Sequence, residues 1–391
     1  MPSVGIVGGS LGGLTAALLL RDAGCPVSVY ERSPDTLQAR GAGIAVLEQT
    51  LRYPVERLGV APDDISTSTH SVRFLHPDGS VRHAEPRTYR FSAWNTIYRV
   101  LHDALPGQCY LLGWEMTGFS SHKDGVELRF GNGQRRAADL LVCADGISSA
   151  SRQQLLPEVA PRYSGYVCWR GVIPETDLTD KTHDTLCDAL TYQVLPRGHI
   201  LIYPIPGDDG SVEPGHRLIN MVWYRNVADA DLPGFMTDRN GVQHRVSLPP
   251  NCARSEEVDK IRDFAARHLA RPLGEVVDLI PEPFVQAVFD IEVPCMRVGR
   301  ACLLGDAAFA VRPHAAAGTA KAAEDGWVLT EELVRAHGDI DSALSRWEQR
   351  QLALGAHLLA RTREIGDSSQ FRSDFQPDDP RLVFGLYAPG R

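Results

Sequence analysis

Val4-Gly5-Ile6-Val7-Gly8-Gly9-Ser10-Leu11-Gly12-Gly13 is the stretch that decides the fold. Its first four residues are an apolar run of strand type. The glycines after them make a tight turn, and Leu14-Thr15-Ala16-Ala17-Leu18-Leu19-Leu20 continues as a helix of small and aliphatic residues. Beyond Gly24, Val27-Ser28-Val29-Tyr30 reads as a second strand ending on Glu31. Strand, glycine turn, helix, strand and acid in this order make the βαβ unit that holds adenine dinucleotides. The glycines let backbone approach a pyrophosphate, and the helix N-terminus turns free N–H groups toward its charge. Glu31 lies 18 residues past Gly13, where a carboxylate reaches a ribose hydroxyl. In the G-x-G-x-x-G pattern Gly8 and Gly13 fill the first and third places, and Ser10 stands at the second. A small hydroxyl there still donates to phosphate, so a variant site is expected. A glycine-rich turn without ligand is the alternative, and the flanking elements weigh against it.

With 391 residues the chain is long enough for two lobes. Its 43% hydrophobic and 23% charged residues are ordinary for a globular protein. A net charge of −9 argues against nucleic acid and anionic membranes as partners. The first strand starts almost at the N-terminus, which leaves no room for a usual signal peptide, and no apolar run has transmembrane length. The eight cysteines show no C-x-x-C pair and no metal-like clustering, so no metal is expected. Together these features point to a reducing cytoplasm. A homodimer is compatible with them.

Residues 71–75 and 80–83 flank His76-Pro77-Asp78-Gly79 as a hairpin. Residues 96–105 have helical spacing of Ile97, Leu101 and Leu105. From about 163 to 290 the texture turns to strands and loops, with one helix expected over 254–274. Helices are expected over 319–337 and 341–366, and the polar tail 367–391 is expected to wrap the surface. Two further motifs carry chemistry. Cys143-Ala144-Asp145-Gly146-Ile147-Ser148-Ser149-Ala150-Ser151-Arg152 follows one buried strand. Leu304-Gly305-Asp306-Ala307-Ala308-Phe309-Ala310-Val311-Arg312-Pro313-His314-Ala315-Ala316-Ala317-Gly318 follows another. An acid at the end of a buried strand accepts from ribose or ribitol hydroxyls, and a following helix N-terminus favours negative charge. Each acid alone would read as a cap or turn residue; three motifs in this order read as one site.

On these motifs the chain resembles the single-component FAD-dependent aromatic hydroxylases, the p-hydroxybenzoate hydroxylase-like family, over nearly its whole length. Tyr166-Val167-Cys168-Trp169-Arg170-Gly171, Tyr203-Pro204-Ile205-Pro206-Gly207 and residues 312–318 look most like its hydroxypyridine hydroxylases. The resemblance implies an α/β fold class. A discontinuous Rossmann-like FAD-binding domain (1–70, 96–162, 291–338) would hold a substrate-domain hairpin (71–95) and an inserted β-sheet substrate domain (163–290). A C-terminal helix and tail (339–391) would follow. It also implies FAD and NAD(P)H as cofactors. Gly8, Gly9, Ser10, Leu11, Gly13, Glu31 and Arg32 would hold the ADP half of FAD. Arg99 would contact the cofactor, as would Asp145 and Gly146. Asp306 would bind the ribitol or pyrophosphate region, and Pro313, Ala317 and Gly318 would run beside the isoalloxazine.

The implied reaction is hydroxylation of an electron-rich hydroxylated aromatic or N-heteroaromatic ring by O₂ through a flavin C4a-hydroperoxide. Such a reaction profits from a proton acceptor near the substrate hydroxyl. His314 is the first candidate, with a histidine bonded to its own loop as the alternative. Tyr203 and Tyr224 are the next. Asn220 and Trp223 are substrate candidates from the same strand. Alternation puts Asn220 and Tyr224 on one face and Met221 and Trp223 on the other, so only one pair lines the pocket. Arg170 is a third substrate candidate, sitting near the flavin edge or pairing with a carboxylate; Asp290 and His199 read as structural. The competing functions are a flavin oxidase or reductase of a small cyclic substrate and a non-catalytic flavin-binding protein. A flavin halogenase is disfavoured because the six tryptophans include no Trp-x-Trp pair.

Overall fold

The computed structural model describes residues 1–37 and 42–391. A six-stranded sheet forms one half. Its order is Arg297–Val298, Ala301–Leu303, Leu140–Cys143, Val4–Val7, Val27–Glu31 and Tyr110–Leu112, parallel throughout except at the first pair. Val4–Val7 and Leu140–Cys143 are buried at every position, as strands covered on both faces must be. The helix Leu11–Asp22 lies on one face and packs against the helix Gly318–Arg335. Small residues bring the two helices close: a Cβ at Gly326 would lie 3.2 Å from the Ala16 Cα. Register fixes what matters most. Val7 stands opposite Cys143, and Cys143 opposite Leu303. The glycine turn, Asp145-Gly146 and Gly305-Asp306 therefore leave three adjacent strands at one level, at the carboxyl edge where open α/β sheets bind ligands.

The other half is a nine-stranded sheet. Its order is Ser247–Leu248, Phe284–Asp290, Arg162–Pro174, Leu218–Asn226, Gly198–Ile205, Ala189–Leu195, Thr67–Leu75, Val81–Ala93 and Gly43–Ala45. The expected hairpin thus joins the same sheet as the insert. The expected boundary at residue 70 cuts through the strand Thr67–Leu75, and Gly43–Ala45 also pairs here. One face of this sheet packs on the helices Ser255–His268 and Arg271–Leu279. These replace the single helix expected over 254–274: Leu269 is extended, and Pro272 opens the second helix, where its missing N–H costs nothing. A small sheet of Met116–His122, Gly125–Phe130 and Arg135–Ala138 completes the strands. The long helix Ile340–Asp367 leads into a tail that does more than wrap the surface, because Phe375, Phe384 and Leu386 are buried. Among the described residues no helix is long and apolar enough to cross a membrane.

Candidate active site

Two cavities meet at the carboxyl edge of the parallel sheet. The outer one, about 230 Å³, is lined by Gly8, Gly9, Ser10, Glu31, Arg32, Asp145 and Gly146. The inner one, about 500 Å³, continues past Leu11, Asp306, Pro313, Ala317 and Gly318 to the large sheet. Ser10, Ala144 and Gly146 border both, so they run end to end past the N-terminus of the first helix. A long trough of this form fits an extended dinucleotide with its diphosphate at that helix N-terminus. At two of its glycines the backbone leaves no room for a side chain. A Cβ at Gly8 would lie 2.2 Å from the Ala144 carbonyl oxygen, and one at Gly13 1.9 Å from that of Gly8.

The three motif acids differ in what they already hold. Glu31 is buried and accepts from the Gly9 and Ser33 N–H groups, each at 2.9 Å, so it braces the glycine turn as well as lining the trough. Asp145 accepts from Ser149 Oγ at 2.6 Å and from the Ser151 N–H at 3.0 Å, bracing the first turn of the helix Ala150–Leu155 and its cap, Ser149. Asp306 has no hydrogen-bond partner among the described residues. It opens onto the cavity yet lies deep in the protein. This enclosure pushes its carboxyl up to about 6, with Asp325 adding to the rise and Lys321 and Arg152 opposing it. Arg152 ties two of the motifs together. Fully buried, it donates to the Ala307 carbonyl at 3.1 Å and the Ile147 carbonyl at 2.7 Å. Asp325 accepts from the Gly305 N–H at 2.8 Å and from Lys321 Nζ at 2.7 Å, which fixes the third turn.

At the far end the large sheet presents Cys168, Arg170, Leu201, Tyr203, Val222 and Tyr224 to the inner cavity. Tyr203 stacks on Phe91 at 4.1 Å between centroids and donates to the Gly43 carbonyl at 3.1 Å. Arg170 also donates to that carbonyl, and to Gln286 Oε1 at 3.2 Å; its Nε is buried without a partner. No carboxylate pairs with Arg170 among the described residues, which sets aside the ion-pair alternative. Burial pushes the Tyr203 phenol up to about 12 and Tyr224 well above its ordinary value. Both are therefore protonated donors, not the proton acceptors expected.

Four expected residues stand elsewhere. His314 turns away from the inner cavity into a pocket of about 30 Å³ that it shares with His199, Tyr224 and Phe375. Its Nε2 meets the Tyr166 hydroxyl at 2.8 Å, and burial, helped by His199 and Arg312, holds it well below the usual histidine range. Its ring does not line the inner cavity. Trp223 points to the opposite face of its strand and packs 5.8 Å from Phe264, so the Asn220–Tyr224 side faces the cavity. Asn220 lies behind the wall, its Oδ1 accepting from the Gly43 N–H at 2.9 Å. It positions Gly43 and does not line the cavity. Arg99 lies on the helix Trp94–Ala104 beside Gly210 and lines neither cavity.

Several functional residues escaped the sequence reading. Arg152 ends the Asp145-Gly146 motif, where sequence alone gives it no role. Gly43 and Phe384 line the inner cavity with no sequence signal to mark them. Folding also gathers Glu175, His183 and Cys187, a grouping that cysteine spacing does not reveal. A guanidinium already fills that cluster: Arg217 forks onto Glu175 at 2.7 and 3.0 Å. The Cys187 thiol is pushed up to about 12, chiefly by burial.

Known proteins match this geometry along the whole chain. A family described as FAD binding domain-like matches residues 163–290. A 2,6-dihydroxypyridine 3-monooxygenase of Paenarthrobacter nicotinovorans is 37% identical over 98% of this chain and 95% of the relative. An aurachin C monooxygenase/isomerase of Stigmatella aurantiaca is 30% identical over 95% of this chain and 90% of the relative. The solved 2,6-dihydroxypyridine-3-hydroxylase of Arthrobacter nicotinovorans superposes with a TM-score of 0.94 at 35% identity, covering 99% of this chain and 98% of that one. A dinucleotide trough, a ring-sized cavity at its end and full-length likeness to such enzymes lead to one conclusion: the chain belongs to the FAD-dependent aromatic-ring monooxygenases.

Proposed function

We propose that this enzyme hydroxylates a hydroxypyridine-like ring that binds as an anion, using NAD(P)H and O₂. Arg170 is the observation that carries the reading: a half-buried cation without a carboxylate partner among the described residues, in the wall of the cavity that ends the cofactor trough. Buried cations are nearly always paired, so the missing partner is assigned to the substrate. Glu31 and Asp306 would hold the hydroxyls of FAD, and the glycine turn its diphosphate. Bound FAD, reduced by NAD(P)H, supplies the chemistry that activates O₂.

The protein's own part is binding, orientation and exclusion of water. Arg170 would stabilise the ring oxygen in its ionised state, which raises electron density on the ring. The Tyr224 hydroxyl adds a neutral donor on the same wall. Gly43 is gripped by Asn220 at its N–H and by Tyr203 and Arg170 at its carbonyl, which keeps that guanidinium from swinging. With the cation favouring the anion, a ring of low enough pKa arrives ionised and needs no protein base. The 37% identical relative is named for a dihydroxypyridine, which supports this class. Eight unpaired cysteines support a reducing, cytoplasmic setting. A panel of hydroxypyridines, hydroxybenzoates and larger phenols tests the reading through substrate-stimulated NAD(P)H oxidation and product mass. Strongest coupled turnover with a hydroxypyridine is expected; turnover confined to neutral phenols would refute it.

A further inference from the structure

The tail closes the substrate end of the inner cavity with one ring. Phe384 lines that cavity and also the small pocket behind it, sharing Leu201, Tyr224 and Pro313 with both. It is 7% exposed, its ring lies 4.4 Å from that of Tyr89, and its N–H donates to Tyr89 Oη at 3.2 Å. The backbone on either side is tied down. Arg361 donates to the carbonyls of Arg381, Val383 and Gly385 at 3.2, 2.5 and 2.8 Å. The Gly385 N–H meets the Ala315 carbonyl at 3.2 Å, and Leu386 packs against Ala315 and Ala317 beneath the loop that borders the cavity. The ring is thus a fixed wall and not a swinging lid.

We propose that Phe384 sets the largest ring the site accepts and restricts it to single-ring substrates; this rests on the hydroxylase reading above. Pockets for one drug-sized ligand run about 300–1,000 Å³, whereas the inner cavity of about 500 Å³ must admit a flavin ring and a substrate together. Removing the Phe384 ring would join that cavity to the pocket behind it and make room for a fused second ring.

The test compares FAD-loaded parent, Phe384→Val and Phe384→Trp. The probes are 2,6-dihydroxypyridine and its benzo-fused counterpart, 1,3-dihydroxyisoquinoline. Binding is read from the shift in flavin absorbance, and FAD content and melting temperature report folding. Phe384→Val should move the preference toward the fused ring by about tenfold or more, and Phe384→Trp should weaken the single ring by about tenfold. Phe384→Trp keeps the site filled, so it answers even if Phe384→Val unfolds. A preference unchanged across variants that bind the single ring overturns the role of Phe384 and leaves the hydroxylase reading standing. A loaded parent that binds neither probe contradicts both.

Discussion

Among the described residues Asp306 is left unpaired, while Glu31 and Asp145 each accept from backbone N–H groups as well. Replacing Asp306 by Ala should therefore cost FAD affinity with little cost to folding. Loss of one charge-assisted hydrogen bond is worth about 1.5–3 kcal/mol, or roughly ten- to a hundredfold in the FAD dissociation constant. Glu31→Ala should cost both, because two N–H groups lose their acceptor. Titration calorimetry and melting curves separate the two cases; equal FAD affinity in Asp306→Ala and parent would show that this acid is no ligand. The raised carboxyl also has a pH signature in the FAD-free protein. Folded, Asp306 binds its proton up to about pH 6, whereas the unfolded chain releases it near the ordinary aspartate value. Stability from this group therefore falls as pH rises between those values. Relative to Asp306→Asn, the parent should lose melting temperature from about pH 4 to 6 and hold a constant gap above; a gap independent of pH would refute the shift. At the other end of the trough, Arg170→Gln should keep FAD and weaken an anionic ring ligand by about ten- to a hundredfold. Unchanged binding of that ligand would remove Arg170 from the site.

At the scale of elements, the loops after two strands are held by one side chain. Arg152→Ala leaves the Ala307 carbonyl unpaired in the core and frees that of half-buried Ile147 at the cavity edge, so a loss of about 1–3 kcal/mol is expected, with weaker FAD binding in step. Parental melting temperature and affinity would contradict this brace. The loop that carries His314 sits against the strand that carries His199, and both rings are buried. His199 is held down at about 3 by burial alone. Unfolding lets each take up a proton near its ordinary value, so stability is whole above about pH 6.5 and is lost below it, by about 1.4 kcal/mol per pH unit for each ring. A His199→Gln, His314→Gln double variant should lose less stability than the parent between pH 6.5 and 5 in urea titrations; identical slopes would show that these rings charge freely in the fold. The flavin-loaded double variant should also keep the parental pH profile of turnover, since neither ring reaches the cavity.

Across the whole molecule, what was legible and what was not divides by distance along the chain. The first 31 residues could be read because the turn, the helix and the acid are one local unit with a fixed spacing. The motifs at Asp145 and Asp306 were legible as strand ends, and register brings them level with the glycine turn. Alternation showed that Asn220 and Tyr224 share a face, but which face met the cavity depended on helices packed from elsewhere. His314 was misplaced because a 3-10 turn at Pro313–Ala315 rotates it out of the cavity that Pro313 and Ala316 line. Phe384 and Gly43 carried no signal, since their roles come from contacts 295 and 177 residues away. One measurement decides whether this trough and cavity together insert oxygen into a hydroxypyridine-like ring. FAD-loaded enzyme is run with NAD(P)H, 2,6-dihydroxypyridine and isotopically heavy O₂, and the product is weighed. A ring product carrying a single heavy oxygen atom is predicted. Unchanged ring with hydrogen peroxide formed in step with NAD(P)H consumed would contradict it.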